Sequence, residues 1–434
     1  MPTVAEVRLW GSRIGAVSLL DGEGVASFQY DRPFLTSGIE VAPLMMPLGP
    51  QVFSFPSLPR ESFHGLPGLL ADVLPDRYGN ALIDAWLATQ GRTPESFNAV
   101  ERLSYTGARG MGALEFTPAL GPRPRKATRI KIDALVELAS EVLANRNNLQ
   151  ASFADEHKAE ALRDILRVGT SAGGARAKAV IAWNPATNEV RSGQVKADPG
   201  FEYWLLKFDG VENNKDRELA DPEGYSAVEY AYSLMARAAG IQVPQTRLME
   251  EGGRRHFMTR RFDRLDGGDK LHVQSLAALA HFDFKNADAY SYEQAMLVMR
   301  QLDLPMAQLE EQFRRMAFNI VARNQDDHVK NIAYLMDKSG VWSLSPAFDI
   351  TWSYNPKGKW TSRHQMAMNG KRDGFERRDF DAFAETTSLS RSRARDILDE
   401  VIATVANWPS YADEAKVGEH WTPQIQASLR LFGR

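Results

Sequence analysis

The chain contains no cysteine, which removes disulfides, thiolate metal sites and a cysteine nucleophile from consideration. Nowhere does it hold about 18 consecutive apolar residues, and its opening, MPTVAEVRLW, lacks the basic-then-apolar pattern of a secretory signal. A cytoplasmic protein with no membrane partner is therefore expected. An excess of one charge is also missing: 52 basic residues face 55 acidic ones, for a net charge of −3. That balance supplies no electrostatic pull towards nucleic acid, although a local basic patch stays open. Repeats and low-complexity tracts are absent too. What remains is an ordinary folded composition, 44% hydrophobic and 25% charged, over 434 residues, enough chain for two substantial cores.

The pattern divides the chain into three stretches. Residues 5 to about 117 open with strand-like alternation at Val7–Trp10, Gly15–Leu20 and Val25–Tyr30. Helix-like segments follow around Leu69–Leu74 and Asn80–Thr89, with Asn80 as a plausible N-cap. Gly107, Gly110 and Gly112 read as a tight turn sooner than as an anion cradle, and Gly121–Lys126 (GPRPRK) reads as a linker. Beyond it come two amphipathic helices near Asp133–Asn145 and Asp155–Arg167. Strands are expected at Ala179–Trp183, Glu189–Gly193 and Phe201–Phe208, then a helix over Ser226–Ala239 stopped by Gly240. Val243–Glu250 and Arg255–Phe262 make a hairpin turned at Gly252 and Gly253, and from Leu276 onward the pattern is mainly helical. The expectation is an α+β, two-lobe chain, with units at 1–120, 127–265 and 266–434.

The most informative stretch is Asn324-Gln325-Asp326-Asp327-His328-Val329-Lys330-Asn331, between an apolar helix and a strand-like run. An Asp followed five residues later by Asn is the spacing of a kinase catalytic loop. There the Asp (Asp326) accepts the proton of the attacking hydroxyl and the Asn (Asn331) holds Mg²⁺. A hairpin turning at Asp337–Gly340 leads to Asp349, where a kinase places its second metal ligand. A solvated turn is the plain alternative for the loop alone; the hairpin and Asp349, in the required order, favour the kinase reading. His328 lacks the partners of a metal site and is expected to orient the loop or the phosphates.

Upstream, residues 169–178 (GTSAGGARAK) are small and end in two cations, so backbone N–H groups could approach phosphate oxygens. Lys207 interrupts the apolar strand WLLKF and is either snorkelling or paired. Glu229, on the next helix, stands where a kinase's strand lysine finds its ion-pair partner. Arg260-Arg261-Phe262 ends the hairpin, where a hinge would offer backbone groups to adenine; a polar strand end is nearly as good a reading.

The loop Ser171–Lys178, the RFDR of Arg261–Arg264, the DDHVKN of Asp326–Asn331, and the stretches VRLWGSRIGAVSL and LPGLLADVLPDRYGN together resemble the HipA family over nearly the whole chain. The resemblance implies a two-lobe protein-kinase-like fold with an additional N-terminal subdomain. It also implies a Ser/Thr protein kinase using ATP and Mg²⁺ as the toxin of a bacterial toxin–antitoxin pair. Its partners would be a HipB-like helix-turn-helix antitoxin, operator DNA bound through that complex, and an aminoacyl-tRNA synthetase as substrate. Carried over, Gly173, Gly174, Ala175, Arg176, Ala177 and Lys178 would surround the phosphates and Lys207 would contact them. Arg260, Arg261 and Phe262 would frame adenine, while His328, Val329, Lys330, Asn331 and Asp349 would contact ATP or metal. Ser171 would be the autophosphorylated serine, with Thr170 beside it as the other choice. Rival readings are a small-molecule phosphotransferase of the aminoglycoside or choline type, and a pseudokinase acting only as corepressor.

Overall fold

Alternate residues of Thr3–Leu9 point inward, with Ala5, Val7 and Leu9 all at most 1% exposed, the period-2 signature of a strand with one buried face. This strand, β1, pairs antiparallel with β2 (Ser12–Leu19) across a turn in which Trp10 and Gly11 both take positive φ, as a tight hairpin requires. With β3 (Ser27–Tyr30), β4 (Val52–Phe53) and β5 (Leu114–Thr117) they form a sheet in the order β4-β3-β2-β1-β5. The computed structural model describes residues 3–121, 132, 135–137, 139–140, 176–194, 196–211, 224–265 and 267–432. Most of the two expected helices between 133 and 167 lies outside them.

A second five-stranded antiparallel sheet comprises β6 (Lys178–Asn184), β7 (Glu189–Ser192), β8 (Glu202–Lys207), β9 (Thr246–Glu251) and β10 (Arg254–Arg260), ordered β7-β6-β8-β10-β9. The helix Tyr225–Ala238 lies between β8 and β9 in sequence. The β9–β10 hairpin turns at Gly252 and Gly253, both at positive φ, a conformation that only residues without a Cβ adopt freely. A third, small sheet, β11 (His272–Ser275), β12 (Ala333–Met336) and β13 (Trp342–Leu344), sits among the helices of the C-terminal half. The result is an α+β, two-lobe, kinase-like fold with a further sheet at the N-terminus.

Two apolar cores hold the fold. The larger runs from Val7, Val17 and Phe28 through Val228, Tyr232 and Met235 to Phe313, Phe318 and Val401. The second joins Tyr78, Leu82 and Ala85 of the helix Arg77–Thr89 to Ile181, Trp204 and Leu206 of the second sheet. A helix from the first unit is thus part of the core of the second. Its N-cap is not Asn80 but Asp76, whose side chain accepts from the Gly79 amide. Asn80 lies a turn inside and hydrogen-bonds the Pro75 and Asp76 carbonyls. The segment around Leu69–Leu74 contributes only the short turn Gly68–Ala71. The helix Ala99–Thr106, which the sequence reading missed, starts at a reciprocal capping box between Asn98 and Glu101. Among the described residues no helix is long and apolar enough to cross a membrane.

Candidate active site

The helix Met306–Val321 buries Leu309, Phe313, Met316 and Phe318 and delivers the loop that follows. Arg323 turns the chain with a positive φ. Its carbonyl accepts from Ser353, and Gln325 donates to the Ser353 carbonyl. The loop is thereby stitched to the segment just beyond Asp349, which brings residues far apart in the chain to one place.

Within the loop the two aspartates have separate environments. Asp326 keeps a half-exposed side chain, with His328 Nε2 3.9 Å away. Asp327 is buried and accepts from the Tyr292 hydroxyl at 2.6 Å, His364 Nδ1 at 2.8 Å and the Gln365 amide at 2.7 Å. Arg430 Nη1 stands 3.0 Å from His364 Nε2; because arginine can only donate, the imidazole proton must sit on Nδ1 and point at Asp327. Burial pushes the Asp327 carboxyl up, but His364, Tyr292 and the Gln365 amide outweigh it and hold it below the usual range. Asp327 anchors the loop from inside, while the Asp326 side chain remains reachable from solvent.

Asn331 donates its side-chain N–H to the Asp326 carbonyl at 2.8 Å. That bond settles which end of the amide faces outward: its oxygen is the free end, the one a hard cation takes. Val329 is buried, and its carbonyl accepts from Ala277. Lys330 lies over the Phe284 ring at 4.6 Å and 3.9 Å from Asp72, and its amide donates to His328 Nδ1.

Lys207 ends β8 with its ammonium between Glu229 and Asp349, 2.5 Å from the latter's Oδ1. Glu229, 2% exposed, also holds the Arg176 guanidinium at 2.7 Å. Asp349 adopts a positive φ of 52°, a conformation Asp tolerates better than most and one that clusters at functional sites. Burial pushes its carboxyl up, while Lys207 and Lys178 more than offset this and keep it below the ordinary range. The helix carrying Glu229 is tied to the same region, since the Tyr225 hydroxyl donates to the Trp352 carbonyl and Tyr232 to that of Ala322.

Other expected residues take up different posts. Arg176, which the resemblance would have among the residues around the phosphates, sits against Glu229, Ser226 and the Phe208 carbonyl. Ala177 is buried beside it. Lys178 opens β6 and pairs with Asp76 at 2.9 Å. At the end of β10 the Arg260 amide donates to Gln245 and that of Arg261 to Tyr203. The Arg261 guanidinium grips Asp263 bidentately at 2.9 and 2.7 Å, so it is engaged within its own turn. Asp263 also accepts from the Gly112 amide, and Arg264 donates to the carbonyls of Gly110 and Gly112. Those glycines form a docking turn; a Cβ on Gly112 would stand 2.8 Å from the Val273 nitrogen. Phe262 packs against Phe348 with ring centroids 5.8 Å apart. Thr170, Ser171, Gly173, Gly174 and Ala175 lie outside the described residues.

A family model described as the HipA-like C-terminal domain matches residues 170–408, and one described as the HipA N-terminal domain matches 5–117. The structure is similar to that of HipA from Shewanella oneidensis, solved as a complex of HipA, HipB and operator DNA. The TM-score is 0.69 at 17% identity, covering 98% of this chain and 96% of that one. A Haemophilus influenzae protein named "Putative kinase" is 26% identical over 160 residues; the match takes in 33% of this chain and 47% of that protein's length. The chain thus spans about half of that curated relative. With the C-terminal model alone matching more than half of the sequence and the N-terminal one accounting for the first unit, the chain belongs to the HipA family.

Proposed function

We propose that the chain is a Ser/Thr protein kinase that moves the γ-phosphoryl group of Mg²⁺-ATP onto a protein hydroxyl. The observation that carries this is the placement of Lys207 between Glu229 and Asp349, beside a loop in which Asn331 is oriented by the Asp326 carbonyl. A lysine so held can meet phosphate oxygens, Asp326 can take the hydroxyl proton, and the Asn331 amide oxygen and Asp349 carboxylate suit a hard divalent cation. No group of three or more His, Asp or Glu among the described residues could hold a metal by itself. Mg²⁺ in a kinase site is shared between protein oxygens, the phosphates and water. When bound, the ion would neutralise charge on the phosphates.

In keeping with the family, the proposed role is that of a cytoplasmic toxin. Its substrate is an aminoacyl-tRNA synthetase, its inhibitor a HipB-like helix-turn-helix antitoxin, and toxin and antitoxin repress their operon together on operator DNA. Phosphorylation at Ser171, or at Thr170, would add about −1.5 to −2 charges to a loop that receives phosphates, and would switch the enzyme off. Labelled ATP incubated with the protein and a bacterial lysate should label a protein band, and the Asp326→Asn variant should not. Label confined to small molecules would instead make this a small-molecule phosphotransferase, and no transfer at all would make it a pseudokinase corepressor. Mass spectrometry after incubation with ATP should locate the added phosphate on residue 171 or 170.

A further inference from the structure

Lys178 and Lys207 are direct partners in the antiparallel register of β6 and β8. Directly opposed residues share a face of the sheet and stand close together, so two like charges there repel. Both are nearly buried, at 3% and 6% exposure. Lys207 has Glu229 and Asp349, both from the kinase-like lobes. The carboxylate 2.9 Å from Lys178 comes from elsewhere: Asp76, in the first unit, with a side chain only 9% exposed. Burial pushes the Asp76 carboxyl up, opposed by Lys178, the Gly79 amide and Lys330. The same stretch also meets the loop that holds Asp326 and Asn331. Four residues earlier, Asp72 accepts from the Ser275 amide and hydroxyl and stands 3.9 Å from Lys330 of the catalytic loop. One short segment of the first unit therefore places a carboxylate beside a lysine on each side of the site.

We infer that Asp76 is a positioning residue for phosphoryl transfer: the N-terminal unit supplies a buried counter-charge that helps keep Lys178 alongside Lys207, ready for the nucleotide's phosphates. The inference rests on the kinase reading above and adds that the first unit completes the nucleotide site. Asp76 has two separable jobs, because its Oδ1 caps the helix Arg77–Thr89 through Gly79 while its Oδ2 faces Lys178. Asn and Ser cap helices about as well as Asp but carry no charge.

The test measures Mg²⁺-ATP binding by titration calorimetry on the full chain, for wild type, Lys207→Met, Lys178→Met, Asp76→Asn, Asp76→Ser and the double variant Asp76→Asn/Lys178→Met. Thermal unfolding is recorded for each. Asp76→Asn and Asp76→Ser keep the helix cap and should stay folded, with a melting temperature lowered by the loss of one buried counter-charge. Well below that temperature they should raise the Kd by about tenfold, the usual scale of coupling within one charge network. The double variant should bind no worse than Lys178→Met alone, because Asp76 acts through Lys178. Unchanged affinity in both capping variants, or losses that simply multiply in the double variant, would overturn the inference. A wild type that fails to bind Mg²⁺-ATP, or a Lys207→Met variant that binds it normally, would overturn the kinase reading and this inference with it. A silent Asp76 in a protein that otherwise behaves as a kinase would remove this inference alone.

Discussion

Replacing Glu229 by Ala removes a carboxylate that serves two buried cations at once. It is 2% exposed and accepts from Arg176 at 2.7 Å and from Lys207. After the change Lys207 keeps Asp349, and Arg176 keeps neutral neighbours such as the Ser226 hydroxyl and the Phe208 carbonyl. Deleting one partner of a buried ion pair costs about 3–5 kcal/mol, because a charge is left in a medium that cannot solvate it. The surviving Asp349 contact places Glu229→Ala near the lower end, about 3 kcal/mol. Glu229→Gln keeps the volume and one acceptor oxygen and should cost less, about 1.5–3 kcal/mol. Against a total stability of about 5–15 kcal/mol this is a large fraction; with an unfolding entropy of about 2.1 cal/mol/K per residue over 434 residues, it lowers the melting temperature by roughly 3 °C. Denaturant unfolding gives the free energy, and calorimetric titration with Mg²⁺-ATP asks whether Lys207 has lost its place. A Glu229→Ala protein within about 0.5 kcal/mol of wild type, the ordinary range of a surface substitution, and with unchanged affinity would refute the reasoning. It would mean that the carboxylate is hydrated and that Lys207 is held by something else.

Asp326→Asn should slow phosphoryl transfer by about 10²–10⁴-fold, the worth of a positioned general base, and leave the melting temperature unchanged, since that side chain is half exposed. Asp349→Ala should abolish the Mg²⁺-dependent part of ATP binding, measured as the difference with and without chelator, because Asn331 and the phosphates leave too few oxygen ligands. The Asp349 carboxyl is held below its ordinary 3.8, so its charge is lost only as pH falls through that depressed value; its contribution to binding should be flat from about pH 5 upward. His272 is 1% exposed, and burial lowers its pKa from 6.5 to about 3. The unfolded chain then takes up a proton the folded one refuses, and stability falls as pH drops from about 6.5 towards 3. By pH 4.5 its share of the loss is about 2–3 kcal/mol. His272→Met should shrink the fall in stability between about pH 7 and pH 4.5 by that amount in urea unfolding, the partly buried His281 keeping its own share.

Much of the middle sheet was legible residue by residue. The expected strands Ala179–Trp183, Glu189–Gly193 and Phe201–Phe208 correspond to β6, β7 and β8 with ends shifted by one residue or so. The hairpin at Gly252–Gly253 and the helix ending before Gly240 fall where their turn and stop residues indicated. These features depend on backbone preference and short-range periodicity, which act through neighbours in sequence. The N-cap was misplaced because Asp76 and Asn80 are both capable caps four residues apart. The nearby Gly79 amide, and burial of Tyr78 and Leu82 against the second sheet, put the helix start at the earlier one. The capping box at Asn98 and Glu101 was available as a signal and was overlooked.

The sequence by itself determined the spacing from Asp326 to Asn331, the hairpin leading to Asp349, and a lysine in mid-strand with a glutamate on the following helix. Each is a local pattern whose chemistry demands those residue types in that order. Tertiary structure alone decided which of many carboxylates meets which cation. The spacing to Asn331 singles out Asp326, but nothing in the order of residues shows that its neighbour Asp327 is buried on Tyr292 and His364 while Asp326 stays half exposed. Nor could it show Arg176 turned onto Glu229, Arg264 holding the Gly110–Gly112 turn, or Asp76 reaching Lys178. Such pairs span about 50 to 150 residues of chain. Their partners are chosen because a buried charge must find its opposite within hydrogen-bond reach, and only the packing of the two cores brings those groups that close.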